Sequence, residues 1–248
     1  CELVMGPLIR RMSSVTSNHM ALVGVSCFLG SIGLQHVLMR NNIKVHSFSS
    51  TTSSNDERKK SSLYTRTGDK GFSSLYNGER RSKNDMIFHT LGHQDELNAI
   101  IGIAREYCAM TKNGLEPMLE EIQCRLFDLG AAVATPTTKA SSEEKIAYTQ
   151  FPAKHTAQVE EWIDSLDAKL PPLSNFVIPS GGMSATHLNH ARTVCRRAER
   201  SVVPLVEMGL VDAEVGRYLN RLSDLIFVAT RTAVMNENQK EILWVKGE

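Results

Sequence analysis

The run Thr65-Arg66-Thr67-Gly68-Asp69-Lys70-Gly71-Phe72-Ser73-Ser74, continued by Gly78-Glu79-Arg80-Arg81-Ser82-Lys83, gathers glycines, hydroxyls and cations just ahead of a long helical pattern. Glycines let backbone N–H groups approach a ligand closely, hydroxyls donate to its oxygens, and Lys and Arg offset its charge. A loop of this make-up suits a polyphosphate. It is not the common phosphate loop, because the chain holds no G-x-x-x-x-G-K-[ST] string. A solvated, turn-rich lead into a helix is the competing reading.

A second cluster lies far downstream. Arg192, Arg196 and Arg200 recur every four residues in Arg192-Thr193-Val194-Cys195-Arg196-Arg197-Ala198-Glu199-Arg200, so on a helix they form one cationic ridge. Leu188, Ala191, Cys195, Ala198, Val202 and Leu205 give the same helix an apolar seam. With only Glu199 near in sequence, the ridge suits a triphosphate or buried carboxylates better than an ordinary solvated face. Other candidates carry less. His89 and His93, or His187 and His190, have metal-pair spacing but no third ligand, so no protein-held metal is expected. Cys108, Cys124 and Cys195 fall in helical patterns without a C-x-x-C and read as buried free thiols.

Five helical patterns must position these residues: roughly 84–111, 115–134, 154–169, 184–208 and 212–236. The second repeats steps of four and three through Leu115, Leu119, Ile122, Leu126, Leu129 and Val133, and the last through Val215, Leu219, Leu222, Ile226, Ala229 and Ala233. Trp162 falls on the seam of the third. Three-four alternation in successive long helices predicts an all-α antiparallel five-helix bundle, a four-helix core plus one. Residues 135–153 and 170–182 read as linkers. The second carries Pro171-Pro172 and Pro179 and so crosses the bundle as irregular chain.

Five strings in order carry a resemblance: the T-R-T-G-D-K-G-F-S-S loop, Asp95-Glu96-Leu97-Asn98, Phe176-Val177-Ile178-Pro179-Ser180-Gly181-Gly182, the C-R-R-A-E-R run, and Leu219-Asn220-Arg221-Leu222-Ser223-Asp224. Over roughly Leu63 to Lys246 the chain resembles the PduO-type ATP:cob(I)alamin adenosyltransferases, most of all the mitochondrial ones of animals. The resemblance implies a homotrimer with active sites between subunits. It implies ATP bound by Thr65, Arg66, Thr67, Gly68, Ser73, Ser74 and Lys83 of one subunit. The arginine helix of a neighbour would add Arg196, Arg197, Ala198, Glu199 and Arg200, with Asn220 from the last helix.

In such enzymes the cobalt of cob(I)alamin attacks C5′ of ATP and expels triphosphate. The nucleophile belongs to the corrinoid, so no protein Ser, Cys or His needs activation. By resemblance, Arg196, with Lys83 and Arg200, stabilises charge on the leaving triphosphate. Asp95 and Arg192 bridge subunits, and Phe176 crowds the lower corrin face so that cob(II)alamin loses its axial base before reduction. A core Phe anchoring the linker is the alternative for Phe176. Mg²⁺ is expected with ATP, held mainly by phosphates and water. A reductase and methylmalonyl-CoA mutase are the implied partners. A corrinoid carrier delivering adenosylcobalamin and an ATP-dependent kinase are the rival functions.

The 248 residues carry a formal net charge of +1, which gives no nucleic-acid or acidic-surface signature. The charge is uneven. Residues 1–55 hold Arg10, Arg11, Arg40 and Lys44 against Glu2 alone. With no acid from Leu3 to Asn55 and abundant Ser, Thr and Asn, residues 1–60 read as a disordered leader of mitochondrial transit type, and residues 61–248 as the helical-bundle domain. The fifteen-residue apolar run from Met20 to Leu34 is too short to span a membrane, but a secretory signal core is its rival reading. A nucleotide-using body favours import into the mitochondrial matrix.

Overall fold

A computed structural model describes residues 66–247, Ser174 apart. The expected leader and Thr65 lie outside the described residues.

Asp85 starts the first helix: its backbone is extended and its side chain accepts from the Ile87 N–H at 2.9 Å, which satisfies one of the free amides of the first turn. Helix α1 (Met86–Thr111) runs until Lys112 turns left-handed at φ 55° and its N–H folds back onto the Cys108 and Ala109 carbonyls. Pro117 then opens α2 (Glu116–Val133), where its missing N–H costs nothing. A short helix, α3 (Glu143–Thr149), interrupts the segment expected to be linker. Its signal was local: Ser142 caps the Lys145 N–H, and Glu143 and Glu144 occupy the first turn. Helix α4 (Lys154–Asp167), α5 (Met183–Glu207) and α6 (Ala213–Asn236) complete the bundle. Each of the five expected helices lies within two residues of its expected ends. No helix among the described residues is long and apolar enough to cross a membrane.

The seams meet as expected. Leu97, Ile101, Ala104 and Cys108 of α1, the α2 series from Leu119 to Val133, and the α5 and α6 series are all fully buried. Trp162 packs partly buried against this core. Cross-contacts fix the directions. Thr90 Oγ1 donates to the Ser201 carbonyl at 3.0 Å, and Thr111 Oγ1 lies 3.4 Å from Ser184 Oγ, so α1 and α5 are antiparallel. Arg192 meets Phe227 and Asn220 meets Glu199, so α5 and α6 are antiparallel too. Consecutive long helices alternate in direction, yet α4 lies beside α6 pointing the same way: Thr156 meets Glu214 and Glu160 meets Arg221. Of the three cysteines, Cys108 and Cys195 are buried, but Cys124 is exposed, because it falls opposite the α2 seam.

Two small antiparallel ladders join the helices. β1 (Phe72–Ser74) pairs with β2 (Arg80–Ser82), and β3 (Val177–Ile178) pairs with β4 (Ile242–Leu243). Strands of two or three residues are too short to show a period of two, so sequence alone did not reveal them.

Gly181 is where the crossing segment meets the bundle. It sits at φ +89°, and a Cβ there would clash with Val234 Cγ2. Gly181→Ala is expected to cost about 2–5 kcal/mol, combining left-handed backbone strain with overpacking. Urea denaturation measures it. Val234→Ala in the same chain should recover the packing part and leave the backbone part, and a single variant within 0.5 kcal/mol of the parent would remove this close approach from the account.

Candidate functional site

The loop folds as a hairpin. Ser73 faces Arg81 and Ser74 faces Arg80 across the ladder. Gly71, at φ +78°, accepts the Lys83 N–H through its carbonyl at 2.8 Å. The Lys83 side chain returns over the loop: a Cβ on Gly68 would lie 3.1 Å from its Nζ. Gly68 is thus the position where a side chain would obstruct the lysine, and Lys83 holds its ammonium beside the Gly68 backbone. Ser73 is half-buried, while Arg66, Thr67, Ser74 and Lys83 are exposed.

Not every cation of the loop is available to a ligand. Arg80 Nη2 donates to the Thr67 carbonyl at 3.0 Å. Arg81 is bidentate to Glu79, at 3.0 and 3.1 Å, and reaches Asp85 at 3.3 Å. The Arg81 hydrogen bonds hold the Glu79 carboxyl below the usual carboxylate range. With a lowered folded pKa, this clamp is complete above the ordinary carboxylate value and is lost as pH falls through the lowered one. Arg80 and Arg81 therefore shape the hairpin, whereas Lys83 is exposed and holds its ammonium beside Gly68.

The motifs of the helices resolve residue by residue. In Asp95-Glu96-Leu97-Asn98, Leu97 enters the core, Glu96 pairs with Arg197 of α5, and the Asn98 carbonyl accepts from Gln123 of α2 at 3.2 Å. Asp95 is exposed and, unlike the exposed Glu96, has no partner among the described residues. In the arginine run, Cys195 and Ala198 face the core, Arg197 is held by Glu96, and Glu199 accepts from Asn220 Nδ2 at 2.8 Å. Burial pushes the Cys195 thiol up and its Sγ donates to the Leu219 carbonyl, so it is no nucleophile. The Ala198 methyl faces the core and contributes no contact to the ridge.

Arg196 and Arg200 remain. Both are exposed, and neither pairs with a carboxylate among the described residues. They stand on a rigid helix on either side of two fixed pairs, Arg197–Glu96 and Glu199–Asn220. Arg192, one turn earlier, is half-buried with its Nε unpartnered and its guanidinium 5.9 Å from the Phe227 ring centre. Glu96 is level with Arg197, so Asp95 and Arg192 stand at different heights of the α1–α5 pair and do not meet within one chain.

Phe176 is 78 % exposed. That excludes a core anchor. Its carbonyl accepts the Trp244 N–H at 2.7 Å, and the two rings meet edge-on at 6.3 Å. Sequence reasoning missed this tail. Ile242-Leu243-Trp244-Val245 is a short β-favouring run, which was the available signal. His89 bonds Asn84 and His187 stacks on Tyr107, and no group of three or more His, Cys, Asp or Glu residues among those described is placed to hold a metal.

Comparison with known proteins bears on this arrangement. A family model for cobalamin adenosyltransferase matches residues 63–233. The human corrinoid adenosyltransferase MMAB is 47% identical over 186 residues, which span 75% of this chain and 74% of that one. The corrinoid adenosyltransferase of Mycobacterium leprae is 36% identical over 187 residues, 75% of this chain and 96% of the other. A solved variant of a PduO-type ATP:corrinoid adenosyltransferase from Lactobacillus reuteri, complexed with cobalamin and ATP, matches with a TM-score of 0.69. It is 34% identical, over 74% of this chain and 99% of that one. A helical bundle carrying a glycine-rich cationic hairpin, an exposed arginine ridge and an outward aromatic strap, matched over most of its length by these proteins, places the chain in the cobalamin adenosyltransferase family.

Proposed function

We infer that this chain is an ATP:corrinoid adenosyltransferase: it moves the 5′-deoxyadenosyl group of ATP to the cobalt of cob(I)alamin and releases triphosphate. The observation that carries the residue roles is the pair of exposed, uncompensated guanidinium groups at Arg196 and Arg200, beside Arg197 and Glu199, which are already matched within the chain. Unmatched cations fixed on a rigid element are arranged for an anion that arrives with the substrate.

In the reaction the cobalt electron pair forms the Co–C5′ bond, and the C5′–O pair leaves on the triphosphate. The protein has two tasks. It must align C5′ with cobalt, which can lower a barrier by up to about 7–11 kcal/mol. It must also meet charge growing on the leaving oxygens. We assign the second task to Arg196, assisted by Lys83 and Arg200. Thr65, Arg66, Thr67, Gly68, Ser73, Ser74, Glu199 and Asn220 form the rest of the nucleotide site, with Arg197 held in place by Glu96. A Mg²⁺ ion accompanying ATP would be held by phosphate oxygens and water, since the described carboxylates near the ridge are engaged by Arg197 and Asn220.

The likeness to PduO-type enzymes supports placing the complete site between subunits of a homotrimer. The exposed Asp95 and the incompletely partnered Arg192 would pair across that boundary. The acid-free stretch from Leu3 to Asn55 and the likeness to animal relatives support a mitochondrial matrix location, with a reductase supplying cob(I) and methylmalonyl-CoA mutase receiving the product. Anaerobic addition of ATP to the protein with chemically reduced cob(I)alamin tests the activity: the optical spectrum should change to that of an alkylated corrinoid only when ATP is present. A spectrum unchanged by ATP would leave a carrier as the better reading.

Phe176 is assigned to the lower corrin face, where a bulky apolar ring would exclude base and water from cobalt. Phe176→Ala should leave ATP affinity within twofold of the parent. The four-coordinate cob(II) signal should fall and turnover from cob(II) should slow at least tenfold, with a smaller defect from pre-formed cob(I). A normal four-coordinate spectrum in this variant would move axial-ligand removal to another residue.

A further inference from the structure

Phe176 stands on a segment that cannot hold itself, and what fixes that segment lies outside every motif discussed so far. Arg231, near the end of α6, is 6 % exposed. Its Nε donates to Glu241 Oε1 at 2.8 Å and its Nη2 to the Pro171 carbonyl at 2.9 Å. Pro171 opens the crossing that leads to Phe176. Glu241 immediately precedes β4, whose two residues pair with Val177 and Ile178 directly after Phe176. One guanidinium therefore ties both halves of the β3–β4 clasp to the bundle. Two further contacts close the clasp: the Trp244 N–H on the Phe176 carbonyl, and the Ile242 N–H on Ser180 Oγ at 3.1 Å.

The need for such a tie is physical. A two-residue strand pair is far below the size that is stable alone in water. The apolar side chains of the clasp are largely exposed, including Phe176, Ile242, Leu243, Trp244 and Val245, so burial contributes little to fixing it. A planar fork with donors in fixed directions can hold two acceptors at once. An ammonium on a flexible stem lacks that geometry.

We propose that Arg231 is a positioning residue for the corrin face: by joining Pro171 to Glu241 it holds the clasp so that Phe176 presents one orientation to the lower face of the corrin. The proposal rests on the assignment of Phe176 given above. Arg231 touches no substrate and acts only through the clasp.

The test uses Arg231→Lys and Glu241→Gln in the full chain, with Phe176→Ala beside them. Both clasp variants keep the helical core and should remain folded. Amide hydrogen exchange at residues 176–182 and 241–245 should quicken at least tenfold, with the amides of α5 unchanged. The four-coordinate signal of cob(II)alamin with ATP should fall at least threefold and turnover from cob(II) at least fivefold. ATP affinity and turnover from pre-formed cob(I) should each change less than twofold. Unchanged exchange across the clasp in both variants overturns the proposal, as does an undiminished four-coordinate signal from a loosened clasp. If Phe176→Ala itself keeps the signal, the assignment of Phe176 falls and takes the corrin part of the proposal with it. Exchange then still decides whether Arg231 holds the clasp.

Discussion

Arg196→Ala and Lys83→Ala are each expected to lower turnover about a hundredfold while the chain keeps its fold. The size follows from removing one fixed donor from a leaving group that gains charge in the transition state, about 3 kcal/mol, or two orders of magnitude in rate. The intact fold follows from the surroundings. Arg196 is exposed and pairs with no described carboxylate, so its loss leaves no buried acid behind. Lys83 packs its ammonium over Gly68 on an exposed hairpin, so truncation opens space there without uncovering a core. Arg81 is the informative contrast: Glu79 and Asp85 already match it, so its removal should act through the shape of the hairpin. Steady-state kinetics with saturating ATP, beside a thermal melt, measure both quantities. Turnover within threefold of the parent in either variant would take that residue out of the charge-stabilising role.

Asp95→Ala and Arg192→Ala should each impair both assembly and turnover, and the reciprocal exchange, Asp95→Arg with Arg192→Asp, should restore part of what either loses. Breaking one side of an ion pair buried at an interface costs roughly 3–5 kcal/mol, because the remaining charge is left desolvated and alone. The folded chain supplies the motive. Arg192 has a buried Nε with no partner, and Asp95 is exposed and unpaired in a motif whose other members are all engaged within the chain. Sedimentation together with activity at several protein concentrations reads the effect. A fully active monomer would refute a site shared between subunits.

Much of the bundle was legible because burial follows period. Leu188, Ala191, Cys195, Ala198, Val202 and Leu205 alternate by three and four, and all six are fully buried. The arginine ridge was legible for the same reason, since residues four apart share a face whatever the tertiary context. Which arginines stay free was not legible. Arg196 and Arg197 are adjacent and chemically identical in sequence, and only the packing of α1 against α5 brings Glu96 to one and leaves the other open. The hairpin shows the same limit: five cations counted alike, but Arg80 and Arg81 hold backbone and carboxylates while Lys83 is exposed beside Gly68. The clasp was hidden more completely. Its strands are two residues long, and its partners Val177 and Leu243 lie far apart in the chain, so no local pattern could report the pairing. Helix α3 escaped because a seven-residue helix leaves little seam, although its Ser142 cap was readable.

In the proposed reaction attack falls on C5′ of ATP and the arginine ridge receives an intact triphosphate. Phosphorus NMR of a complete anaerobic turnover, with adenosylcobalamin quantified in the same sample, tests it most directly. Triphosphate and adenosylcobalamin should appear in equal amounts, with no ADP formed in step with turnover. ADP with orthophosphate, or triphosphate released without adenosylation of the corrinoid, would contradict it.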